Sequence, residues 1–339
     1  MRKQVTLVTG ASGEMGQALI EHLTDTSSTP VLALDIKPLP PEIERRAHLS
    51  LVGDILDHTL LDRLVTEYAI PRIFHLAALL STRAEFNPEA AHRVNVDGTL
   101  NLLRLAVEQS GWLGEPVVFM FPSSVAVYGL PDLPAKTAAG AVSEKGFMEP
   151  TTMNGCNKLY GETLGRYYAN FYRQLSAGPE RGVIDFRAIR FPGLISAFTL
   201  PTGGTSDYAP EMVHAAAQGE PYACFVRPDT RIPFMAMPDA VKALVDLQAA
   251  ERAHLTSHVY NVTSFSPSAE DVADLVQDAF PAAQITYHPD EARQSIVDSW
   301  PADQDDSLAR RDWGWQPAYT MQTTFDDYLV PNIARRYAR

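Results

Sequence analysis

Basic residues and long apolar runs are scarce in this sequence, and each shortage excludes a class of partner. The 339 residues include 28 Lys and Arg against 41 Asp and Glu, a formal net charge of −13. Because nucleic acid phosphates bind clustered basic groups, we expect no nucleic acid partner. No apolar run reaches the roughly eighteen residues of a transmembrane helix, and the apolar stretch in MRKQVTLVTG is too short for a signal peptide, so no membrane partner is expected.

Cysteine is almost absent as well. Cys156 and Cys224 cannot cross-link a fold of this size, so free thiols in a reducing cytoplasm are the natural interpretation. The nine His residues show no metal-ligand spacing, and we predict no metal site. By contrast, 45% of the residues are apolar and 20% are charged, which is ample material for a globular core.

Short apolar runs alternate with helical periodicity in the first half of the chain. Strands are predicted at residues 5–8, 31–34, 49–52, 73–76, 117–121 and 183–191. Helices are predicted between them, among others at 57–68, 88–109 and 151–177. Apolar strands separated by helices predict a parallel sheet covered on both faces, so the expected fold class is α/β, a doubly wound Rossmann sheet.

The composition changes after Phe191, where Gly, Pro, Ser and Thr become frequent. This change predicts a Rossmann domain at 1–191 and a smaller C-terminal α/β substrate lobe at 192–234 and 263–339. Between the two parts of the lobe, residues at about 235–262 read as a helix and a strand that rejoin the Rossmann sheet.

A glycine-rich turn, GASGEMG at residues 10–16, follows the first predicted strand and opens a helix. Glycines at this spacing let backbone N–H groups and the positive end of the helix approach a pyrophosphate. An ordinary turn is the alternative, but the flanking strand, the helix and an acidic residue ending the second strand all agree with nucleotide binding. The residues assigned to the cofactor here are Gly10, Ser12, Gly13, Glu14, Met15 and Gly16.

Two acidic positions after later strands extend this cofactor site. Asp35 is placed to accept hydrogen bonds from the adenosine ribose, and its charge would repel a 2′-phosphate, which favours NAD over NADP despite Lys37 nearby. Asp54 and Ile55 are placed to hold the adenine ring. The alternative for this pair is the N-cap of the helix that begins near residue 57.

Together, these segments and several others resemble an extended short-chain dehydrogenase/reductase over essentially the whole chain. The general motifs are GASGEMG, Asp54–Ile55, HLAALLS at 75–81, the Asn95…Gly98…Asn101 helix and FPSSVAVYG at 121–129. More specific resemblance, to the short-chain type of L-threonine 3-dehydrogenase, is carried by RFPGLIS at 190–196, TGGTSDYA at 202–209, YACF at 222–225 and the segment from DSWP to ARRDWGW at 298–315.

The resemblance implies that NAD is used to oxidise the C3 hydroxyl of L-threonine, or of a similar 3-hydroxy amino acid, to a product such as 2-amino-3-oxobutyrate. It also implies assembly as a homodimer. Further cofactor contacts implied by it are Leu76, Ala77, Ala78, Asn95, Lys158, Phe191 and Gly193.

The family's catalytic Ser, Tyr and Lys are only partly present. In the family, Ser fixes the substrate oxygen, Tyr takes its proton, and Lys four residues later assists the Tyr and binds the nicotinamide ribose. Ser124 matches the Ser, with a turn cap as the alternative, and Lys158 matches the Lys, with a solvated helix lysine as the alternative. Asn154 occupies the Tyr position.

An amide neither donates nor takes a proton usefully near neutral pH, so the expected loss of rate is on the order of 10²- to 10⁴-fold. Cofactor binding should survive, and Asn154 can still hydrogen-bond a substrate hydroxyl. Tyr160 is six residues after Asn154 and points to another helix face, so it is not expected to replace the Tyr. Either the chain is a disabled form of an active dehydrogenase, which the intact surroundings favour, or its chemistry is altered.

Substrate contacts are expected from both halves of the sequence. Gly204 and Thr205 offer an N–H group and a hydroxyl for a carboxylate, although a flexible loop is the alternative. Trp300 is a candidate wall over the threonine methyl group, or a packing residue of the lobe. The remaining candidate substrate contacts are Ser81, Ser124, Asn154 and Gly193. Asp207 and Asp298 are possible partners of the ammonium group, although solvated loop residues are the favoured interpretation of both.

Two other functions stay open. Sugar-nucleotide epimerases and dehydratases, which are related by fold, carry a diphosphate-binding Asn after the sixth strand. Here that position is Pro192-Gly193, which disfavours a sugar nucleotide. The third possibility is a non-catalytic NAD-binding module.

Overall fold

The computed structural model describes residues 2–176, 183–201 and 203–338, without the side chain of Ser81. Its main sheet has seven strands: β1 Lys3–Thr9, β2 Val31–Asp35, β3 Leu49–Val52, β4 Tyr68–His75, β5 Val117–Ser124, β6 Ile184–Phe191 and β7 Val259–Asn261. Their order across the sheet is β7-β6-β5-β4-β1-β2-β3. The strand order reverses between β1 and β4, as in a doubly wound sheet, so the predicted fold class is confirmed.

The central strand β1 pairs in parallel with β2 and with β4, with Thr6 opposite Val31 and Leu7 opposite Ile73. Five consecutive residues of β1 are buried, because helices cover both faces of a parallel sheet. Phe119 of β5 and Phe186 of β6 stack with ring centroids 6.0 Å apart in the core. The continuous apolar runs of the sequence are therefore the buried strands.

Five helices are labelled here: α1 Glu14–Thr26, α2 His58–Glu67, α3 Gly98–Leu113, α4 Met153–Asn170 and α5 Met237–Ala249. The other α-helices are Pro41–Glu44, Ser81–Phe86, Pro88–His92, Leu133–Ala139, Tyr208–Gln218, Ala269–Ala279, Glu291–Ser299, Ser307–Trp313, Met321–Thr323 and Val330–Tyr337. Two π-helical segments lie at Arg93–Asp97 and Thr324–Leu329, and two 3₁₀ turns at Val125–Val127 and Arg252–His254. Across the described ranges, none of the helices combines the length and apolar character needed to cross a bilayer.

Two element boundaries are informative. Helix α4 ends at Asn170, earlier than predicted, and Arg173 has a φ of 48°, which no helix tolerates. Residues 177–182, on which the predicted end of this helix falls, lie outside the described part. The segment after residue 235 supplies α5 and the edge strand β7, which pairs beside β6 in the main sheet.

The chain forms two compact units. Unit 1 comprises residues 1–123, 156–189 and 244–259, and unit 2 comprises 124–155, 190–243 and 260–339. Unit 2 contains three short parallel strand pairs: Gly193–Ile195 with Phe234–Ala236, Tyr222–Cys224 with Ile285–Tyr287, and Ala141–Val142 with Asp303–Gln304. Residues 124–155, which the sequence places in the Rossmann domain, group with unit 2, so the functional limits of the two lobes stay a prediction.

Candidate cofactor and substrate sites

The glycine-rich turn packs so tightly that side chains are excluded at two of its positions. Gly10 has a φ of +69°, and a Cβ atom there would lie 2.5 Å from the Ala77 nitrogen. A Cβ atom on Gly16 would lie 2.4 Å from the Gly10 carbonyl oxygen. At Gly13, which is exposed, the same oxygen is 3.2 Å away. The turn therefore leaves bare backbone at the start of α1, the arrangement that receives a pyrophosphate.

Asp35 is fixed at the end of β2 by two backbone donors. The Ser12 N–H donates to one carboxylate oxygen and the Lys37 N–H to the other, each at 2.9 Å. The Ser12 hydroxyl donates to the Lys37 carbonyl at 2.8 Å, which ties the glycine-rich turn to the residues after β2. Each carboxylate oxygen keeps lone pairs for further donors, so Asp35 fits the hydroxyls of a ribose.

Asp54 and Ile55, which follow β3, have different surroundings. Asp54 is exposed, and its side chain accepts from the Leu56 N–H at 2.9 Å. The N-cap of α2 is Asp57, which accepts from the Leu60 N–H at 3.1 Å, so the alternative role for Asp54 is wrong. Ile55 is buried, and its contact with the adenine ring stays a prediction.

A chain of hydrogen bonds fixes the end of β4, where Leu76, Ala77 and Ala78 follow. The His75 ring bonds Thr9 Oγ1 at 2.9 Å through Nδ1 and Thr99 Oγ1 at 3.0 Å through Nε2. Since the Thr99 hydroxyl donates to the Asn95 carbonyl at 2.6 Å, it must accept from the Nε2–H of a neutral imidazole. Burial, followed by the charge of Lys158, lowers the pKa of His75 to about 3. His75 is therefore a structural residue.

Asn95 is buried, and its carboxamide is used within the protein. Its oxygen accepts from the Leu79 N–H and its nitrogen donates to the Leu79 carbonyl, both at 2.8 Å, and also to Asn157 Oδ1 at 3.1 Å. Asn95 therefore holds the loop after β4 in place, and its contact with the cofactor stays a prediction.

Lys158 lies on α4 with only 7% of its surface exposed, and its ammonium is 4.8 Å from the centre of the Phe121 ring. Burial lowers the pKa of Lys158 to about 8, and the charge of Glu162 opposes that shift. The solvated lysine that was the alternative is therefore wrong. Sequence reasoning missed Glu162, although a Glu four residues after a Lys on a helix indicates that the two side chains are neighbours.

In unit 2, Ser124 and Asn154 differ in the hydrogen-bonding group that each can present to a ligand. Ser124 Oγ accepts from the Ala126 N–H at 3.1 Å, so it does cap a turn, and that bond leaves its hydroxyl hydrogen unused within the described ranges. Asn154 is 8% exposed, and its Oδ1 has no hydrogen-bond partner among the described residues. A buried acceptor without a partner is costly, which makes Asn154 a place where a ligand donor is expected.

Neither Tyr128 nor Tyr160 is placed as a substitute for the missing catalytic base. The Tyr128 hydroxyl donates to Asn261 Oδ1 at 2.7 Å and accepts from Arg190 Nη1 at 2.9 Å. Burial raises the pKa of Tyr128 to about 12, although Arg190 acts in the opposite direction. Tyr160 is exposed on α4.

The other substrate candidates of unit 2 are only partly available. The Gly204 N–H donates to Asp207 Oδ2 at 2.7 Å, so the group expected to bind the substrate carboxylate is engaged within its own loop. Trp300 is buried, and its Nε1 has no partner in the part of the chain described. Thr205 is half-buried, and both Phe191 and Gly193 are buried. Ser81 opens a helix after β4, and its side chain lies outside the described part.

Carboxylates neutralise two arginines of unit 2. Arg227 forms a two-pronged ion pair with Asp298 at 2.9 and 3.0 Å, so Asp298 is neither a solvated loop residue nor free for an ammonium group. Arg231 pairs with Asp271 at 3.0 Å. These pairs, which sequence reasoning did not find, reduce the positive charge that unit 2 presents to a ligand.

Comparison with known proteins agrees with this geometry. The sequence pattern of the NAD dependent epimerase/dehydratase family matches residues 6–263. The chain belongs to this family. It is 34% identical over 315 residues to mitochondrial L-threonine 3-dehydrogenase of Bos taurus, covering 93% of this chain and 79% of that protein.

Solved structures extend the likeness to the whole fold. L-threonine dehydrogenase from Clostridium difficile has a TM-score of 0.85 at 30% identity, covering 99% of each chain. A monomeric L-threonine 3-dehydrogenase from a metagenome database has a TM-score of 0.84 at 35% identity, covering 98% of this chain and 100% of that one. The chain is thus an NAD-dependent oxidoreductase similar to threonine dehydrogenases.

Proposed function

We propose that this chain binds NAD and L-threonine, or a similar 3-hydroxy amino acid, as a threonine 3-dehydrogenase with impaired proton transfer. The observation that carries the proposal is Asn154 Oδ1, a buried acceptor that has no hydrogen-bond partner in the described part of the chain and lies one turn before Lys158 on α4. A hydroxyl donor from the substrate satisfies that acceptor.

The residues of unit 1 fit NAD. The bare backbone at Gly10, Gly13 and Gly16 supplies N–H groups for the pyrophosphate, and Asp35 accepts from the adenosine ribose hydroxyls. The Lys158 ammonium donates to the nicotinamide ribose. When bound, NAD supplies the acceptor for the hydride that leaves the alcohol carbon.

In unit 2, the chain's own groups orient the alcohol but do not remove its proton. Ser124 donates its free hydroxyl hydrogen to the substrate oxygen, and Asn154 Oδ1 accepts the substrate hydroxyl hydrogen. Neither group titrates near neutral pH. The proton must therefore leave to solvent or to a weaker base than the family's Tyr, and oxidation is slow.

A sugar nucleotide is the second candidate, and the arginines of unit 2 disfavour it. A diphosphate is bound by unpaired Arg or Lys, ideally through two-pronged hydrogen bonds. Arg227 and Arg231 already pair with carboxylates, and Arg190 is buried against Tyr128. Arg293 lies over the Phe225 ring and donates to the Gly203 carbonyl, which leaves it as a single candidate cation and not a cluster among the described residues.

Calorimetry tests the proposed substrate without requiring turnover. We expect heat from NAD binding, then heat from L-threonine only in the presence of NAD, and none from UDP-glucose under either condition. UDP-glucose binding would overturn the assignment in favour of a sugar-nucleotide enzyme. NAD binding with no heat from L-threonine or L-serine would indicate a non-catalytic NAD-binding module.

Asp35→Asn tests the cofactor preference. Removing one charge weakens the hydrogen bonds to the ribose hydroxyls, so NAD affinity should fall roughly 10- to 100-fold and the preference over NADP should narrow. Titration of both cofactors by fluorescence measures the two affinities. Asp57→Asn is the matched control, since it makes the same charge change at an exposed helix cap where Asn serves equally well. Equal losses in the two variants would contradict the role of Asp35.

Assembly and location stay predictions. A homodimer through α4 agrees with the exposed Tyr167 and Phe171 on or beside that helix, whereas one similar protein is described as monomeric. The reducing cytoplasm rests on cysteine usage alone.

A further inference from the structure

A buried acid lies one helical turn beyond Lys158. Glu162 and Ser123 are each 4% exposed, and the Ser123 hydroxyl donates to Glu162 Oε1 at 2.5 Å. Ser123 is in β5 and Glu162 in α4, so this hydrogen bond fixes the carboxylate between the strand and the helix within unit 1. A buried carboxylate held at such a distance is a charge with a defined position.

The surroundings of Lys158 make that charge important. Its ammonium faces the Phe121 ring, a weak substitute for water, and burial favours the neutral amine. Among the described residues, Lys158 interacts electrostatically with His75 from β4, which is neutral, and with Glu162 from its own helix. Glu162 therefore supplies the compensating negative charge.

We propose that Glu162, held in place by Ser123, is a positioning residue that keeps the Lys158 ammonium charged and aligned for the nicotinamide ribose. This inference rests on the proposed function only for what the ammonium binds. The charge state of Lys158 itself is a property of the protein without ligand.

Two pH profiles test it. In the cofactor-free protein, competitive labelling with acetic anhydride and mass spectrometry gives the fraction of Lys158 present as free amine. In Glu162→Gln, the labelling midpoint should move down by about one pH unit or more, because the opposing charge is lost. NAD affinity should then decline from a correspondingly lower pH, and at pH 8 should be roughly 5-fold or more weaker than in the unmodified chain.

Three further variants separate charge from structure. Glu162→Asp retains the charge and should keep the midpoint within a few tenths of a unit, while Glu108→Gln removes an exposed charge on α3 and should change neither profile. Ser123→Ala, which leaves the charge but not its anchor, should shift the midpoint in the same direction by less. This last variant also decides the matter if Glu162→Gln does not fold.

Unchanged labelling in Glu162→Gln, or an equal shift in Glu162→Asp, would overturn the proposal. A shifted labelling profile with NAD affinity independent of pH would instead uphold the role of Glu162 and contradict the function proposed for Lys158. The two failures are therefore distinguishable.

Discussion

Asn154→Tyr is expected to increase NADH formation from L-threonine by roughly 10²- to 10⁴-fold. The new phenol lies one turn before Lys158 on α4, where the ammonium stabilises a phenolate. It therefore takes the hydroxyl proton that the carboxamide of Asn154 cannot take. The initial rate of absorbance increase at 340 nm measures the effect, with NAD and threonine saturating so that the change is read in kcat.

Asn154→Phe is the matched control, because it brings the ring without the hydroxyl. It should leave the rate at or below that of Asn154, since the acceptor for the substrate hydroxyl is lost as well. Equal gains in the Tyr and Phe variants would mean that ring packing, rather than proton transfer, had limited the rate. A parent chain as fast as the Tyr variant would contradict the account of Asn154. Melting temperatures of the three proteins show whether each substitution is tolerated.

The fold could be predicted from the sequence because its signals are local. A continuous apolar run such as Val31–Leu34 predicts a buried parallel strand without information from the rest of the sequence. The end of α4 was harder, since apolar residues continue at helical spacing through Phe171 and Tyr172 with no Gly or Pro to stop it. The Arg173 backbone, with its positive φ, is not encoded by a recognisable turn residue.

The candidate site divides in the same way. The glycine spacing and Asp35 were readable because a short segment carries both the residues and their geometry. The partners of Asn95 and of Asp298 were not, because Leu79 and Arg227 are distant in sequence and only the fold brings them close. The engagement of Gly204 by Asp207 was missed for another reason: a loop can satisfy its own N–H groups, and spacing alone does not reveal when it does.

Substitutions in the glycine-rich turn give the second large expected effect. Replacing Gly10 or Gly16 should destabilise the fold, whereas replacing Gly13 should weaken NAD binding. In Gly16→Ala, the new methyl group meets the Gly10 oxygen at 2.4 Å and Ala11 backbone atoms at 2.8 Å, none of which can move aside cheaply. We expect a loss of roughly 2 to 3 kcal/mol in the free energy of unfolding. Gly10→Ala adds a positive φ to a comparable clash and should be at least as damaging.

Gly13→Ala should separate binding from folding. Its Cβ has a single close neighbour, the Gly10 oxygen at 3.2 Å, so the unfolding free energy should change by about 1 kcal/mol or less. The methyl group nevertheless stands where the pyrophosphate must approach the backbone, so NAD affinity should fall at least roughly 10-fold. Urea denaturation and NAD titration measure the two quantities. The control is Gly111→Ala, whose Cβ meets nothing within 4 Å on α3 and which should gain up to about 1 kcal/mol through helix propensity. If Gly13→Ala bound NAD as tightly as Gly111→Ala does, the turn would not be the pyrophosphate site, because no ligand held by its N–H groups could accommodate the added methyl group.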